Sequence, residues 1–241
     1  MKFAIIAAGE GSRLAAEGIK QPKPLVEVND EKLIDRLIRI FVNNDAEEIV
    51  VICNDMTTLV SQHLVRLQQD GLKVRPIPLR FVVKSTPSSM HSFYEISKYL
   101  GDGPFVLTTV DTIFKEDEFN EYVKAFRQLI KEDKADGMMG VTDFIDDEKP
   151  LYVNTDKELN ITAFLDKNDT PQYISGGIYG LTAPAIKTLN GCIERGESRM
   201  RNFQRALIAD GHRLKAYPFS KVLDIDHATD IDKAEAFIKG K

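Results

Sequence analysis

Apolar residues recur along the chain in two alternating rhythms. Residues 2–7 form a short apolar run that ends in small residues and glycines, which predicts a buried strand. Residues 25–28 read as a short extended piece. Over 31–44, Leu33, Ile34, Leu37, Ile38 and Phe41 follow helical spacing. Residues 48–53 are a second continuous apolar run and therefore a second buried strand. Residues 57–70 place Leu59, Val60, Leu64 and Leu67 on one helical face, with Gly71 as the stop. A third strand at 81–83 precedes a helix from Ser89 to Leu100, which Gly101-Asp102-Gly103-Pro104 ends. A fourth strand covers 105–110. Strands alternating with helices in this way predict a parallel sheet covered on both faces.

Past residue 115 the rhythm changes. Residues 136–143 read as a strand. Residues 151–154 and 159–165 flank Asp156-Lys157 as an antiparallel ribbon would. A strand at 173–181, helices near 182–190 and 199–210, a strand at 213–218, an extended 222–226 and a helix over about 229–239 complete the chain. No repeat, low-complexity run or linker interrupts it, so one domain spanning 1–241 is expected.

Composition narrows the function. The 241 residues are 43% hydrophobic and 29% charged, with a formal net charge of −5. That is an ordinary globular balance. Without a basic stripe a nucleic-acid partner is not expected, although a few local cations suffice for a polyanionic small molecule. The two cysteines, Cys53 and Cys192, stand far apart, which suits a reducing compartment and offers neither a disulfide framework nor a cysteine metal site. No apolar stretch reaches membrane-spanning length, and the run after Lys2 is too short for a signal peptide. A cytoplasmic protein with no membrane partner is expected; a homo-oligomer is left open.

The chemistry is concentrated where the first strand ends. Ala7-Ala8-Gly9-Glu10-Gly11-Ser12-Arg13-Leu14 lets backbone approach a ligand closely, and exposed N–H groups in such a loop cradle phosphate. Arg13 adds a planar fork of donors, and Lys23, between Pro22 and Pro24, adds a point charge. The loop lacks the Gly-Lys-Ser/Thr ending of a Walker A motif, and Leu14 replaces the third glycine of a dinucleotide fingerprint. Read alone, it is a phosphate loop or a glycine turn with solvated charges. In an open parallel sheet a ligand sits beyond the carboxyl ends of the strands, which selects this loop and Asp111 after the fourth strand. Asp224 and Asp226 would share a side of an extended segment. A hard cation beside phosphates is held by one or two carboxylates plus water. Thr229 or Asp230 would cap the last helix.

Together these stretches resemble the sugar-phosphate nucleotidyltransferases (nucleotide-sugar pyrophosphorylases). The opening is similar to that family's Ala-Ala-Gly-x-Gly-x-Arg-Leu followed by Pro-Lys-Pro-Leu. Val110-Asp111-Thr112-Ile113-Phe114 resembles its Gly-Asp-Thr-Leu-Phe, with Val110 where glycine is common. Leu223-Asp224-Ile225-Asp226 and the residues after it resemble its Asp-Val-Asp ending.

The resemblance implies a Rossmann-like three-layer α/β/α sandwich around a mostly parallel, mixed sheet. It implies a nucleotide-binding half over 1–115 and a sugar-binding, metal-completing half over 116–241. The implied reaction joins a nucleoside triphosphate and a sugar 1-phosphate into a nucleotide sugar and pyrophosphate, with Mg²⁺. Arg13, Lys23 and Asp111 are the implied catalytic residues. Asp111 and Asp226 are the implied metal ligands, with Asp224 as the alternative. Ala8, Gly9 and Gly11 would hold phosphates, and Ser88 and Ser89 the base, although Lys84 and Ser88 depart from the family's Gln and Gly. Ala163-Phe164-Leu165-Asp166-Lys167 is similar to its Phe-x-Glu-Lys, so Asp166 would meet sugar hydroxyls and Lys167 the sugar phosphate. Gly177 would let the sugar approach the strand. Two other readings stay open: a cytidylyltransferase for a non-sugar phosphate such as phosphocholine, and a non-catalytic nucleotide-sugar sensor.

Overall fold

The computed structural model describes residues 1–71, 76, 78–145 and 149–240. In chain order the first half contains β1 (Lys2–Ala7), α1 (Ser12–Ala16), β2 (Glu27–Val28), β3 (Glu31–Lys32), α2 (Leu33–Asn43), β4 (Ile49–Cys53), α3 (Thr58–Asp70), β5 (Leu79–Val83), α4 (Ser89–Ser97) and β6 (Phe105–Thr109). The second half contains β7 (Thr112–Ile113), α5 (Glu116–Lys131), β8 (Gly137–Thr142), β9 (Tyr152–Thr155), β10 (Ile161–Leu165) and β11 (Tyr173–Leu181). It continues with α6 (Ala185–Glu194), α7 (Met200–Ala209), β12 (Leu214–Pro218), β13 (Leu223–Asp224) and α8 (Ala228–Ile238).

Nine strands form the central sheet. β6, β1, β4 and β5 lie side by side in parallel. β11 then runs antiparallel to β6, and its first residues pair instead with β9, which carries β10. The other edge of β11 takes β8, and β8 takes β12 in parallel. Successive residues of β1 and the Ala8 that follows it face opposite ways: Phe3, Ile5 and Ala7 enter one apolar cluster, and Ala4, Ile6 and Ala8 the other. The first cluster is closed by α2, α3, α5 and α8, and the second by α4, α6 and α7. This is the mixed-sheet, Rossmann-like three-layer α/β/α sandwich that the resemblance implies.

Three local features differ from the pattern-based expectations. First, the helix expected from residue 31 starts at Leu33, because Glu31–Lys32 pair with Glu27–Val28. Asn29 and Asp30 turn that hairpin with φ values of 52° and 61°. Asn and Asp tolerate this left-handed conformation, which two-residue hairpins need. Second, Leu59 is 53% exposed, while Val60, Leu64 and Leu67 are buried. Third, α5 fills a stretch for which no element was expected. Phe119, Tyr122, Val123 and Phe126 lie on its buried face. Glu116, Asp117 and Glu118 crowd its first turn, where negative charge complements the helix dipole. The cysteines stay in the core, and burial pushes the Cys53 thiol up to about 11.

Candidate active site

The glycine loop is a connection that its neighbours hold in shape. β1 delivers Ala8, and the chain turns at Gly11, which has φ +63°. A side chain there would meet Lys23 Cβ at 3.3 Å, so glycine is needed for both backbone and space. Leu14, 1% exposed, plugs the five-residue α1 into the core and leaves Arg13 outside. Asn54, just beyond β4, donates from Nδ2 to the Gly9 carbonyl at 3.1 Å. The sequence offered no signal for this tether, since it depends on two parallel strands ending side by side.

Lys23 opens a 3₁₀ turn, Lys23–Leu25, between two prolines. The buried Pro24 and the 2.8 Å bond from Leu25 N to Pro22 O fix the turn. Lys23 Nζ donates to Asp111 Oδ2 at 2.6 Å and to Asp226 Oδ1 at 2.9 Å. Arg13 Nη1 donates to the other oxygen of Asp226 at 2.8 Å. Two cations and two carboxylates therefore form one chain of charge.

The two aspartates meet because of a small ribbon. Val110 N bonds to Ile6 O at 3.0 Å, which registers the end of β6 against β1. β7 then pairs antiparallel with β13, placing Asp224 opposite Thr112. Ile225 N donates to the Asp111 carbonyl at 3.2 Å. The next residue, Asp226, thus arrives beside Asp111. Asp224 sits within the ribbon, and Asp226 is the one that shares Lys23 with Asp111.

Asp230 accepts from Asp226 N at 3.1 Å and His227 N at 2.8 Å, which caps α8 from inside its first turn. The residue preceding the helix is His227, not Thr229. His227 Nδ1 and Ala228 N both contact Glu17 at 2.6 Å, which clasps the end of α1 to the start of α8.

Electrostatics keep this network charged. Burial alone would lower the Lys23 ammonium, but Asp111 and Asp226 outweigh it and hold Lys23 above its usual 10.5. Burial alone would raise Asp226, but Lys23 and Arg13 hold it below the usual 3.8. The stabilisation from Asp226 is present above 3.8 and lost as pH falls through its lowered value. That from Lys23 is present below 10.5 and lost as pH rises through its raised value. The network is therefore intact throughout the neutral range.

A cleft of about 340 Å³ opens beside these charges, and Ala8, Gly9, Gly11, Lys23, Ser88, Ser89 and Asp111 all line it. Ser88 caps α4 by accepting from His91 N, while Ser89 begins the helix. Lys84 turns to Glu95 at 2.7 Å and is not among the cleft residues. Val110 lines the cleft with its side chain packed into the core.

Gly177 lies at a bulge in β11, where the register against β8 shifts between Ser175 and Ile178. Its φ is +70°, and a Cβ would stand 3.4 Å from Thr112 Oγ1. Gly177→Ala is expected to destabilise the protein by about 1–2 kcal/mol in urea unfolding, the cost of a left-handed non-glycine residue.

Asp166 and Lys167 are not among the residues of this cleft. Both oxygens of Asp166 are taken by arginines of α7, Arg201 at 2.6 Å and Arg205 at 2.8 Å. The guanidinium groups hold its carboxyl below the usual range. Nothing in the local sequence pointed to these partners, which lie 35 or more residues away on a separate helix.

Two carboxylates whose oxygens converge on one ammonium are a donor set that suits a hard divalent cation. Among the described residues no group of three or more His, Cys, Asp or Glu gathers at one point, so remaining ligands would be water and phosphate oxygens. No described helix is long and apolar enough to cross a membrane.

Over residues 2–240 the chain matches the model of the nucleotidyl transferase family. It is 27% identical over 244 residues to a UTP–glucose-1-phosphate uridylyltransferase of Haloferax volcanii, covering 98% of this chain and 95% of the relative. Among solved structures it is similar to a UDP-glucose pyrophosphorylase complexed with UDP-glucose, with a TM-score of 0.79 and 17% identity over 100% of this chain and 99% of that one. A CTP:phosphocholine cytidylyltransferase of Streptococcus pneumoniae superposes with a TM-score of 0.75 and 17% identity over 98% of each chain.

Proposed function

Because the chain belongs to the nucleotidyl transferase family, we propose that it condenses a nucleoside triphosphate with a sugar 1-phosphate, giving a nucleotide sugar and pyrophosphate. The observation that carries this reading is Lys23 bridging Asp111 and Asp226 at the edge of the cleft formed by the glycine loop. A metal carboxylate pair beside a phosphate-binding loop serves transfer of a nucleotidyl group, whereas a binder has no need of it. The near full-length similarity to a uridylyltransferase acting on glucose 1-phosphate supports a sugar phosphate as acceptor.

In this reading residues 1–115 bind the nucleotide, and 116–241 bind the acceptor and complete the metal site within one domain. Backbone N–H groups from Ala8 to Gly11 receive the triphosphate. Ser88 and Ser89, at the start of α4, face the base. A phosphate oxygen of the sugar 1-phosphate, already ionised at neutral pH, attacks the α-phosphorus in line. The new P–O bond forms as the bond to the β-phosphate oxygen breaks, and pyrophosphate departs with that electron pair. Arg13 and Lys23 leave their carboxylate partners to hold the departing pyrophosphate. Lys167 brings in the acceptor phosphate, and Gly177 lets the sugar lie against β11. Asp166 serves the acceptor side through the two arginines it orients. Asp111 and Asp226 would hold Mg²⁺, which supplies neutralisation of the charge on the reacting phosphates. The protein's own share is positioning and electrostatics.

The test is pyrophosphate release with Mg²⁺ from each of ATP, GTP, CTP, UTP and dTTP, paired with sugar 1-phosphates and with phosphocholine. Release requiring one nucleotide and one sugar 1-phosphate is expected. Release with phosphocholine alone would replace the sugar acceptor. No release from any pair, together with metal-independent binding of a nucleotide sugar, would make the protein a sensor.

A further inference from the structure

Lys23 stands at an unusual place for a phosphate-binding lysine. Its side chain is 11% exposed, and although it lines the cleft, its ammonium is shared between the two carboxylates that suit a cation. The distances, 2.6 and 2.9 Å, are those of charge-assisted hydrogen bonds. The prolines on either side and the Gly11 backbone packed on its β-carbon fix where the side chain starts. Arg13 occupies the remaining oxygen of Asp226. With two cations facing two carboxylates, the cluster is neutral.

We propose that Lys23 is a place-holder for the divalent cation, filling the gap between Asp111 and Asp226 and keeping free metal out until a triphosphate draws it away. This rests on the reading of Asp111 and Asp226 as metal ligands. A divalent ion arriving alone would meet Lys23 and Arg13 at contact distance. Like charges at contact distance repel, and a divalent ion doubles the repulsion that a monovalent ion would meet there. A triphosphate reverses the balance. Its oxygens offer Lys23 and Arg13 new partners, and its negative charge compensates the incoming metal. Metal therefore enters as the metal–triphosphate complex. The carboxylates also stay paired whenever no triphosphate is bound, which spares the partly buried Asp111 an uncompensated charge.

The lock requires that removing a positive charge improve metal binding. Mn²⁺ alone, with no nucleotide, would be titrated into the wild type and into Lys23→Met and Lys23→Gln, with bound metal followed by electron paramagnetic resonance. Circular dichroism would confirm folding. Lys23→Gln keeps a hydrogen-bond donor for Asp111 if the methionine variant fails to fold. Both variants are expected to bind Mn²⁺ about tenfold or more tightly than wild type, and adding Asp111→Ala to either should erase the gain. Arg13→Met, which removes the bond to Asp226 and leaves Lys23 in place, should give a smaller gain. Equal or weaker Mn²⁺ binding in folded lysine variants would overturn the proposal, as would a gain that survives Asp111→Ala. The readout needs no turnover. A protein that releases no pyrophosphate yet shows the Mn²⁺ gain would keep the lock and lose the transferase reading; the reverse pattern would keep the enzyme and lose the lock.

Discussion

Asp111→Asn is expected to lower pyrophosphate release by about 10²–10³-fold at saturating substrates, the usual loss when one preorganised electrostatic partner of the transition state is removed. That corresponds to about 3–4 kcal/mol of barrier. The change preserves side-chain size and one oxygen, so Lys23 keeps a partner there as well as Asp226. Thermal unfolding should therefore move little, which separates a chemical loss from a structural one. Asp226→Asn should fall in the same range. Asp224→Asn, on the β7–β13 ribbon, should lose less than about tenfold, because its neighbour is the one that reaches the shared lysine. Steady-state kinetics on the three variants would decide the assignment. A loss at Asp224 matching that at Asp111 would move the second carboxylate to the ribbon.

Phe119→Ala is expected to be the most destabilising single truncation among these residues, costing about 3–5 kcal/mol in denaturant unfolding. Phe119 is fully buried at the centre of an aromatic column. Its ring stacks on Phe114 at 4.6 Å and on Phe41 at 5.7 Å, and Phe41 in turn stacks on Phe3 of β1 at 4.6 Å. For a chain of this length the midpoint of thermal unfolding should fall by about 6–20 °C. Activity should also drop at temperatures where the protein remains folded. Phe114 lies three residues after Asp111, and its carbonyl accepts a bond from the buried Arg36. Loosening its ring loosens the segment that aims Asp111. Phe119→Leu, which refills much of the space, should recover most of both losses.

Helix α5, which carries Phe119, has no counterpart in the pattern-based expectations. Phe119, Tyr122, Val123 and Phe126 have the spacing of an amphipathic helix, and the acidic run Glu116-Asp117-Glu118 is a helix-start signal. The helical signal is in the sequence, but the change of rhythm after residue 115 masks it. The hairpin at Asn29-Asp30 was hidden differently. Each of its strands is two residues long, too short for any periodicity to register.

The parallel half was legible because its strands are buried on both faces and read as unbroken apolar runs. That Gly9, Gly11 and Asp111 line one cleft was legible because they follow strand ends, and Arg13 and Lys23 could be named as candidates because they lie on short motifs close behind the first strand. The contacts of Asn54 with the loop and of Asp166 with Arg201 and Arg205 were not, since both depend on which strands and helices become neighbours. The mutual capture of Lys23, Asp111 and Asp226 was equally invisible: the residues could be named, but a sequence does not show a cation already seated between two anions.

The β7–β13 ribbon sets when the charge network is completed during synthesis. Lys23 and Asp226 are separated by 203 positions along the chain. At ribosomal speeds of about 5–20 residues per second, Lys23 exists for on the order of ten to forty seconds before Asp226 is made. During synthesis the parallel strands and the glycine loop emerge well ahead of the last carboxylate, and β7 has no partner strand until β13 arrives. A nascent chain therefore has the glycine loop but not the completed charge network, and the network closes in one late step, when the ribbon pairs.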